Sequence, residues 1–237
     1  MAAQSRPAPE PDAGSGSVQA RLAAAADLFP IVRTGADIGA NHGLLACRLL
    51  RSGRARTMWV TDLSADALAA ARQNIAAQGF TDQARFSVGD GFSALGEPVD
   101  AAAVLGMGGQ TIDRILRTAP PDRLPDQLVL SAHTQQELVR RSLYDTGYGI
   151  NEERIVLSGS RYYVLIRARR APGIPVPDGR LLFLGPCLTA QAGPLYRAYL
   201  DRRIAAYLPN RSAEGRQKLE WLKEEAQRAA ADSPDRV

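Results

Sequence analysis

Lysine is nearly absent from this chain. Lys218 and Lys223 are the two present, so arginine supplies almost all of the 29 basic residues. Cysteine is as scarce: Cys47 and Cys187 lie far apart and match no metal-ligand spacing, which leaves two buried, reduced thiols and no bound metal as the expectation. No apolar run reaches the length of a membrane span, so no membrane partner is expected. Met1 to Ser17 is built of Ala, Pro, Gly and Ser with scattered charge and lacks the apolar stretch of a secretory signal. It reads as a disordered tail on a cytoplasmic protein.

What is present is enough for one substantial core and a smaller appendage: 237 residues, 45% of them hydrophobic. Net charge is +4 and the pI about 9.3, which permits an acidic partner without demanding one. Arginine forks match phosphate geometry. Codon bias, visible also in the abundance of alanine, is an equal explanation of the arginine excess.

Strand and helix patterns alternate along residues 18–170. Val18 to Phe29 is helical and alanine-rich. Val32 to Ile38 reads as the first strand, and Thr57 to Thr61 as a second, continuously apolar one suited to a parallel sheet covered on both faces. Ser64 can cap a helix running to Gln78 and stopping at Gly79. Further strands are expected at Arg85–Val88, Asp100–Leu105 and Gln127–Leu130, and a helix at Gln135–Tyr144. Tyr148–Leu157 and Tyr162–Arg169 are joined by four residues with no room for a helix, so they form a hairpin, and one of its strands enters the sheet antiparallel. This describes an α/β, Rossmann-like doubly wound sheet of seven strands that ends in a hairpin, as class I methyltransferases do and dehydrogenases do not. Residues 171–179, with three prolines and two glycines, read as a linker. Residues 180–237 follow as a small helical hairpin, Pro194–Leu208 and Ser212–Ala229, with Leu195, Tyr199, Ile204 and Leu208 facing Leu219 and Leu222. Trp59 and Trp221 read as packing residues, and Asp113 and Arg114 as helix surface.

The chemistry concentrates in Ala36-Asp37-Ile38-Gly39-Ala40-Asn41-His42-Gly43, followed by Thr61-Asp62 and Gly89-Asp90-Gly91. A strand enters, a glycine turn follows, and a helix opens at about Leu44. The acid some twenty residues later stands where a ribose hydroxyl pair would be received. A dinucleotide site would prefer G-x-G-x-x-G, with a pyrophosphate on the helix N-terminus. This loop is D-x-G-x-N-x-G. Its leading acid suits a cationic amino-acid ligand better than a diphosphate, and S-adenosylmethionine, with ammonium and sulfonium charges, fits.

With Gly106-Met107-Gly108-Gly109 after the fourth strand, the ordered set ADIGANHG, GDG and LGMGG resembles the family of bacterial tRNA adenine-22 N1-methyltransferases, from about Val18 to the last helix. The resemblance implies transfer of methyl from S-adenosylmethionine to N1 of an adenine in the D-arm region of tRNA, by a monomer or weak dimer. It further implies that Asp37, Gly39 and Gly43 shape the methionine end of the cofactor pocket and that Asp62 receives the ribose. Asp90 and Gly91 would lie beside the adenine ring, and Gly106, Met107, Gly108 and Gly109 would form the floor under the target base. Two positions depart from the family pattern: Asn41 replaces an aspartate before His42, and Ser131-Ala132-His133 replaces a Gln-Pro-Asn run. Asn41, His42, Gly108 and His133 are therefore the candidates on the reacting side. The C-terminal helices would hold RNA, with Arg197, Arg202, Arg203, Arg211 and Arg216 as candidates. The departures also keep open a methyltransferase of this fold with another substrate, or a silent protein that binds cofactor or RNA.

Overall fold

The computed structural model describes residues 13–191 and 193–231, with side chains from Val18 onward. Strands Val32–Ile38 (β1), Ala55–Asp62 (β2), Ala84–Val88 (β3), Ala101–Met107 (β4), Gln127–Ala132 (β5), Tyr148–Ser158 (β6) and Arg161–Arg170 (β7) form one seven-stranded sheet ordered β3-β2-β1-β4-β5-β7-β6. The first five run parallel; β7 pairs antiparallel with β5 and with β6. The strand order reverses at β1, so a crevice opens between the carboxyl ends of β1 and β4.

Alternation along the strands splits the core in two. Met58, Val60, Ala101 and Ala103 face one side, where helices Ala13–Leu28 (α1), Leu44–Arg51 (α2) and Ala65–Ala77 (α3) cover them. Ala36, Ile38, Ala102 and Val104 face the other, under Gly109–Thr118 (α4) and Gln136–Asp145 (α5). That second core continues without a break into Gly179–Leu184 (α6), Pro194–Tyr207 (α7) and Ala213–Ala231 (α8), through Phe183, Tyr196, Tyr199, Leu200 and Leu222. The helical hairpin therefore shares its core with the sheet.

Several boundaries differ from the sequence reading. The first helix begins at Ala13, so five residues assigned to the tail are helical; residues 1–12 and 232–237 lie outside the described residues. The linker is irregular only to Asp178, whose side chain caps α6 by accepting the Leu181 N–H at 2.8 Å. On α7, Leu195 and Leu208 are exposed, and the buried stripe is Tyr196, Tyr199 and Leu200. These stand at i, i+3 and i+4; Tyr199 is buried and Ile204 packs on the core as expected, with Tyr196 and Leu200 in place of Leu195 and Leu208. Cys187 is half-buried; Cys47 is buried, and both are free. Ser64 caps α3 as expected, accepting from Ala67 N at 3.2 Å.

The helical region is pinned by a fully buried ion pair. Arg140 of α5 donates from Nε to Glu153 of β6 at 2.7 Å, and neither side chain has exposed surface. The Arg140 guanidinium also donates to the carbonyls of Leu182 and Phe183, which close α6, and Glu153 accepts the Cys187 N–H at 2.9 Å. A register shift between Ile150 and Glu152 turns Glu153 inward. Before it the even residues Tyr148 and Ile150 face this core; after it the odd ones, Glu153 and Ile155, do. Glu153→Ala leaves a buried guanidinium unpaired and should cost about 3–5 kcal/mol in thermal or urea unfolding. The double change Arg140→Met, Glu153→Leu should recover most of that loss.

Candidate functional site

The loop after β1 is held by its neighbour strand. Gly39 N and Ala40 N donate to the Thr61 carbonyl at 2.8 and 2.9 Å, and Asn41 N donates to Asp62 Oδ2 at 2.9 Å. The other carboxylate oxygen of Asp62 accepts Ser64 N at 2.9 Å, leaving lone pairs on both for a ligand. Gly39 has φ +69°, and a Cβ there would lie 1.9 Å from the Met107 methyl carbon, so only glycine admits Met107 over the turn. Asn41 also lies in the left-handed region, φ +51°, which asparagine tolerates better than most residues.

Asp37 projects toward α2 and is 4% exposed. Its carboxylate accepts the Ala46 N–H at 3.2 Å, satisfying a free donor in the first turn of that helix. Burial pushes its pKa up to about 7; the Ala46 hydrogen bond opposes this, and the negative charge of Asp62 adds to it. A cation placed beside such an acid would favour its charged form.

Two hollows meet at Gly39. The first, about 350 Å³, is lined by Arg21, Asp37, Asn41, His42, Gly106 and His133 among others. The second, about 110 Å³, lies against Asp62, Asp90, Gly91, Met107 and Arg114. So ten sequence candidates come together at one edge of the sheet. Gly43 and Gly108 line neither hollow. Gly43 is the N-cap of α2, packed where a Cβ would press on Ala71 at 3.0 Å, and Gly108 is the N-cap of α4. Ser131 is buried, and of its run Ala132 and His133 reach a cavity.

Arg114 corrects the sequence reading. It is not plain helix surface, because it ion-pairs with Asp90 at the second hollow. Asp113 is structural, bonded to Arg117 and Ser142. Arg21 was missed. It carries no motif, yet it stacks 4.9 Å from the Tyr163 ring, and its Nε is buried without a partner. His133 stands edge-on to Tyr163 at 5.8 Å, and its pKa is lowered, first by burial and then by Arg21. Its backbone N–H donates to the Met107 carbonyl at 2.8 Å, which fixes it beside the glycine floor.

The arginines proposed for RNA fall into two groups. Arg202 and Arg203 line a third cavity beside His133, whereas Arg197, Arg211 and Arg216 line none of the three. Arg203 is committed inward: both its terminal nitrogens donate to the Phe183 carbonyl at 3.2 Å, and it lies 4.0 Å over the Phe183 ring. Among the described residues no group of three His, Cys, Asp or Glu could hold a metal ion, and no helix is long and apolar enough to cross a membrane.

The chain and its fold are similar to known proteins. A curated Bacillus subtilis tRNA (adenine(22)-N(1))-methyltransferase is 26% identical over 184 residues, covering 74% of this chain and 76% of that protein. A Streptococcus pneumoniae protein solved in complex with S-adenosyl-L-methionine shares the fold, with TM-score 0.80 and 21% identity over 87% of this chain and 98% of its own. M. capricolum TrmK, solved with S-adenosyl-homocysteine, also shares the fold, with TM-score 0.72 and 20% identity over 89% of this chain and 95% of its own. The family model described as a methyltransferase domain matches residues 18–166, most of the chain's length, and the chain belongs to that family.

Proposed function

We propose that this protein transfers a methyl group from S-adenosylmethionine to N1 of an adenine in the D-arm region of tRNA. The observation that carries the reading is the pair of hollows meeting at Gly39, one beside the buried Asp37 and one beside Asp62 and Asp90. The cofactor fits the residues present. Asp37 would receive its ammonium, and Arg21, with a buried unpaired Nε, its carboxylate. Asp62 keeps lone pairs for ribose hydroxyls, and Asp90 with Gly91 would border the adenine. The relative from Bacillus subtilis supports adenine N1 of tRNA as acceptor. Such a substrate places the enzyme in the cytoplasm, and we expect a monomer or weak dimer.

When bound, the cofactor supplies a methyl carbon on a sulfonium. Adenine N1 is a neutral nitrogen with a free lone pair, so no proton leaves before it attacks. The chain must therefore align the reacting atoms and needs no strong general base. His133, with its pKa lowered, is neutral and can offer a hydrogen bond without opposing the positive charge that the base acquires. The Gly106 to Gly109 turn lets the base approach the backbone. Asn41 lines the same hollow, and its amide oxygen can accept from the adenine N6 amine. The target base must leave its stack in the tRNA to reach this edge, at a cost of a few kcal/mol.

The direct test is methyl transfer from labelled S-adenosylmethionine to unmodified bacterial tRNA, with the product nucleoside mapped. The expected result is 1-methyladenosine at one D-arm position; cofactor binding without transfer to tRNA would overturn the substrate. Asp37 gives a second test. Its folded pKa of about 7 exceeds the ordinary 3.8, so ionising it costs stability as pH rises from about 4 to 7, and the full cost persists above that. Asp37→Asn should raise the Tm of the free protein, more at pH 8 than at pH 5. It should also weaken cofactor binding about a hundredfold. Wild-type affinity should climb between pH 5 and 7 and then level, and that slope should vanish in the variant. Finally, Asn41→Asp places a carboxylate near the developing charge and should raise kcat a few-fold; a lower kcat would show that the amide is the better group here.

A further inference from the structure

The largest of the cavities described lies outside the hollows assigned to the cofactor. It has a volume of about 520 Å³ and opens between the start of β7 and the outer face of α7, with His133 at the boundary it shares with the methionine-end hollow. Its size is within the ~300–1,000 Å³ range of sites for small organic groups. Three tyrosines line it, Tyr162, Tyr163 and Tyr199, together with Arg161, Arg202 and Arg203; no carboxylate does. Tyr199 and Arg203 are anchored. Tyr199 is buried and meets Tyr162 edge-on at 5.8 Å, and Arg203 is bonded to Phe183. Arg161 and Arg202 are different: both are exposed, and neither side chain makes a hydrogen bond or ion pair among the described residues. A wall of aromatic rings beside two uncommitted guanidiniums, with no acid nearby, is suited to a flat ring carrying an anion.

We propose that this cavity holds a second nucleotide of the RNA, adjacent in the chain to the adenine being methylated, with its base against Tyr162 and its phosphate between Arg161 and Arg202. The assignment rests on the methyl-transfer reading above, because the shared wall at His133 is what puts the cavity one step from the reacting base. Turning the target base out of its stack leaves its neighbour without a stacking partner on one side. A tyrosine there replaces the lost contact, as aromatic side chains do for single-stranded RNA. The cavity thereby helps to keep the target turned out, which makes Tyr162, Arg161 and Arg202 positioning residues and not participants in methyl transfer. The β6–β7 hairpin and α7 each supply one wall, so the site exists only because the helical region packs against the sheet.

The test uses the full chain, a tRNA transcript that the wild type methylates, and two transcripts in which the nucleotide on the 5′ or the 3′ side of the methylated adenine is abasic. With wild-type protein, one abasic transcript should bind about tenfold more weakly than the intact one. Tyr162→Leu should bind the intact transcript about tenfold more weakly and lose nothing further on that abasic transcript, whereas Tyr162→Phe should behave as wild type. Arg161→Ala and Arg202→Ala, both exposed positions, should each raise KM for tRNA, leave S-adenosylmethionine affinity unchanged, and lower the salt dependence of binding by about one charge. Losses that simply multiply between Tyr162→Leu and the abasic transcripts, or arginine variants with wild-type KM, would overturn the proposal. A wild type that methylates no tRNA would instead overturn the reading on which it rests, and the two failures are separable.

Discussion

A guanidinium and a carboxylate without exposed surface cannot be left apart, and Arg140 and Glu153 meet that condition only when α5, β6 and α6 come together as they do. The pair closes more than itself: the carbonyls that end α6 and the Cys187 N–H are satisfied by the same two side chains. α6 in turn presents Phe183, against which Tyr207, Trp221 and Arg203 pack. Removing the constraint would leave the shared apolar core and the Lys218–Glu137 ion pair to hold the helical hairpin, without the contacts that set its angle to the sheet. The orientation of α7, and with it the wall formed by Tyr199 and Arg202, follows from a charge pair that touches no substrate. Such a pair is a weak source of net stability and a strong source of geometry.

The cofactor side of the crevice works by the opposite device. Asp37 is buried with a single backbone hydrogen bond, and its pKa is raised first by that burial and further by the negative charge of Asp62. The fold carries this cost at one residue, and the cost turns into affinity when a cation arrives. Asp62 is the complement. Its oxygens are engaged by Asn41 N and Ser64 N, so it fixes the turn while lining the second hollow. One acid is desolvated and waiting; the other is solvated by the backbone and rigid.

The sheet was legible in the sequence because its signals are local. Continuous apolar strands, Ser64 before a helix, and a four-residue connection too short for anything but a hairpin each name their own structure. That the acids and glycines would gather at one edge of the sheet was legible for the same reason, since D-x-G-x-N-x-G keeps its spacing in one loop. Arg21 was not, because it reaches the site across the fold from α1 and nothing around it in sequence differs from helix surface. Arg114 was hidden likewise: only the approach of α4 to the Asp90 loop gives it a partner. The buried face of α7 was read correctly at Tyr199 and Ile204 but not at Leu195 and Leu208, because Tyr196 and Leu200 complete it, and a tyrosine's burial depends on a partner for its hydroxyl. Tyr196 has one in Glu225, which no periodicity in either helix announces.

The distribution of the candidate groups matches what methylation of a neutral ring nitrogen demands. With no proton to remove first, rate depends on how well the reacting atoms are held in line, and the groups nearest that point sit on strand ends: Asp37, Asp62, Met107 and His133. The uncommitted charge sits elsewhere, on a hairpin and an outer helix face, where long arginine side chains can follow a phosphate backbone. A chain built this way can gain RNA affinity on α7 or at the β6–β7 turn without disturbing the alignment at Gly39. Asn41 and His133 stand on the other side of that separation, in the hollow that meets Gly39, so a change at either bears on alignment and not on the outer charge.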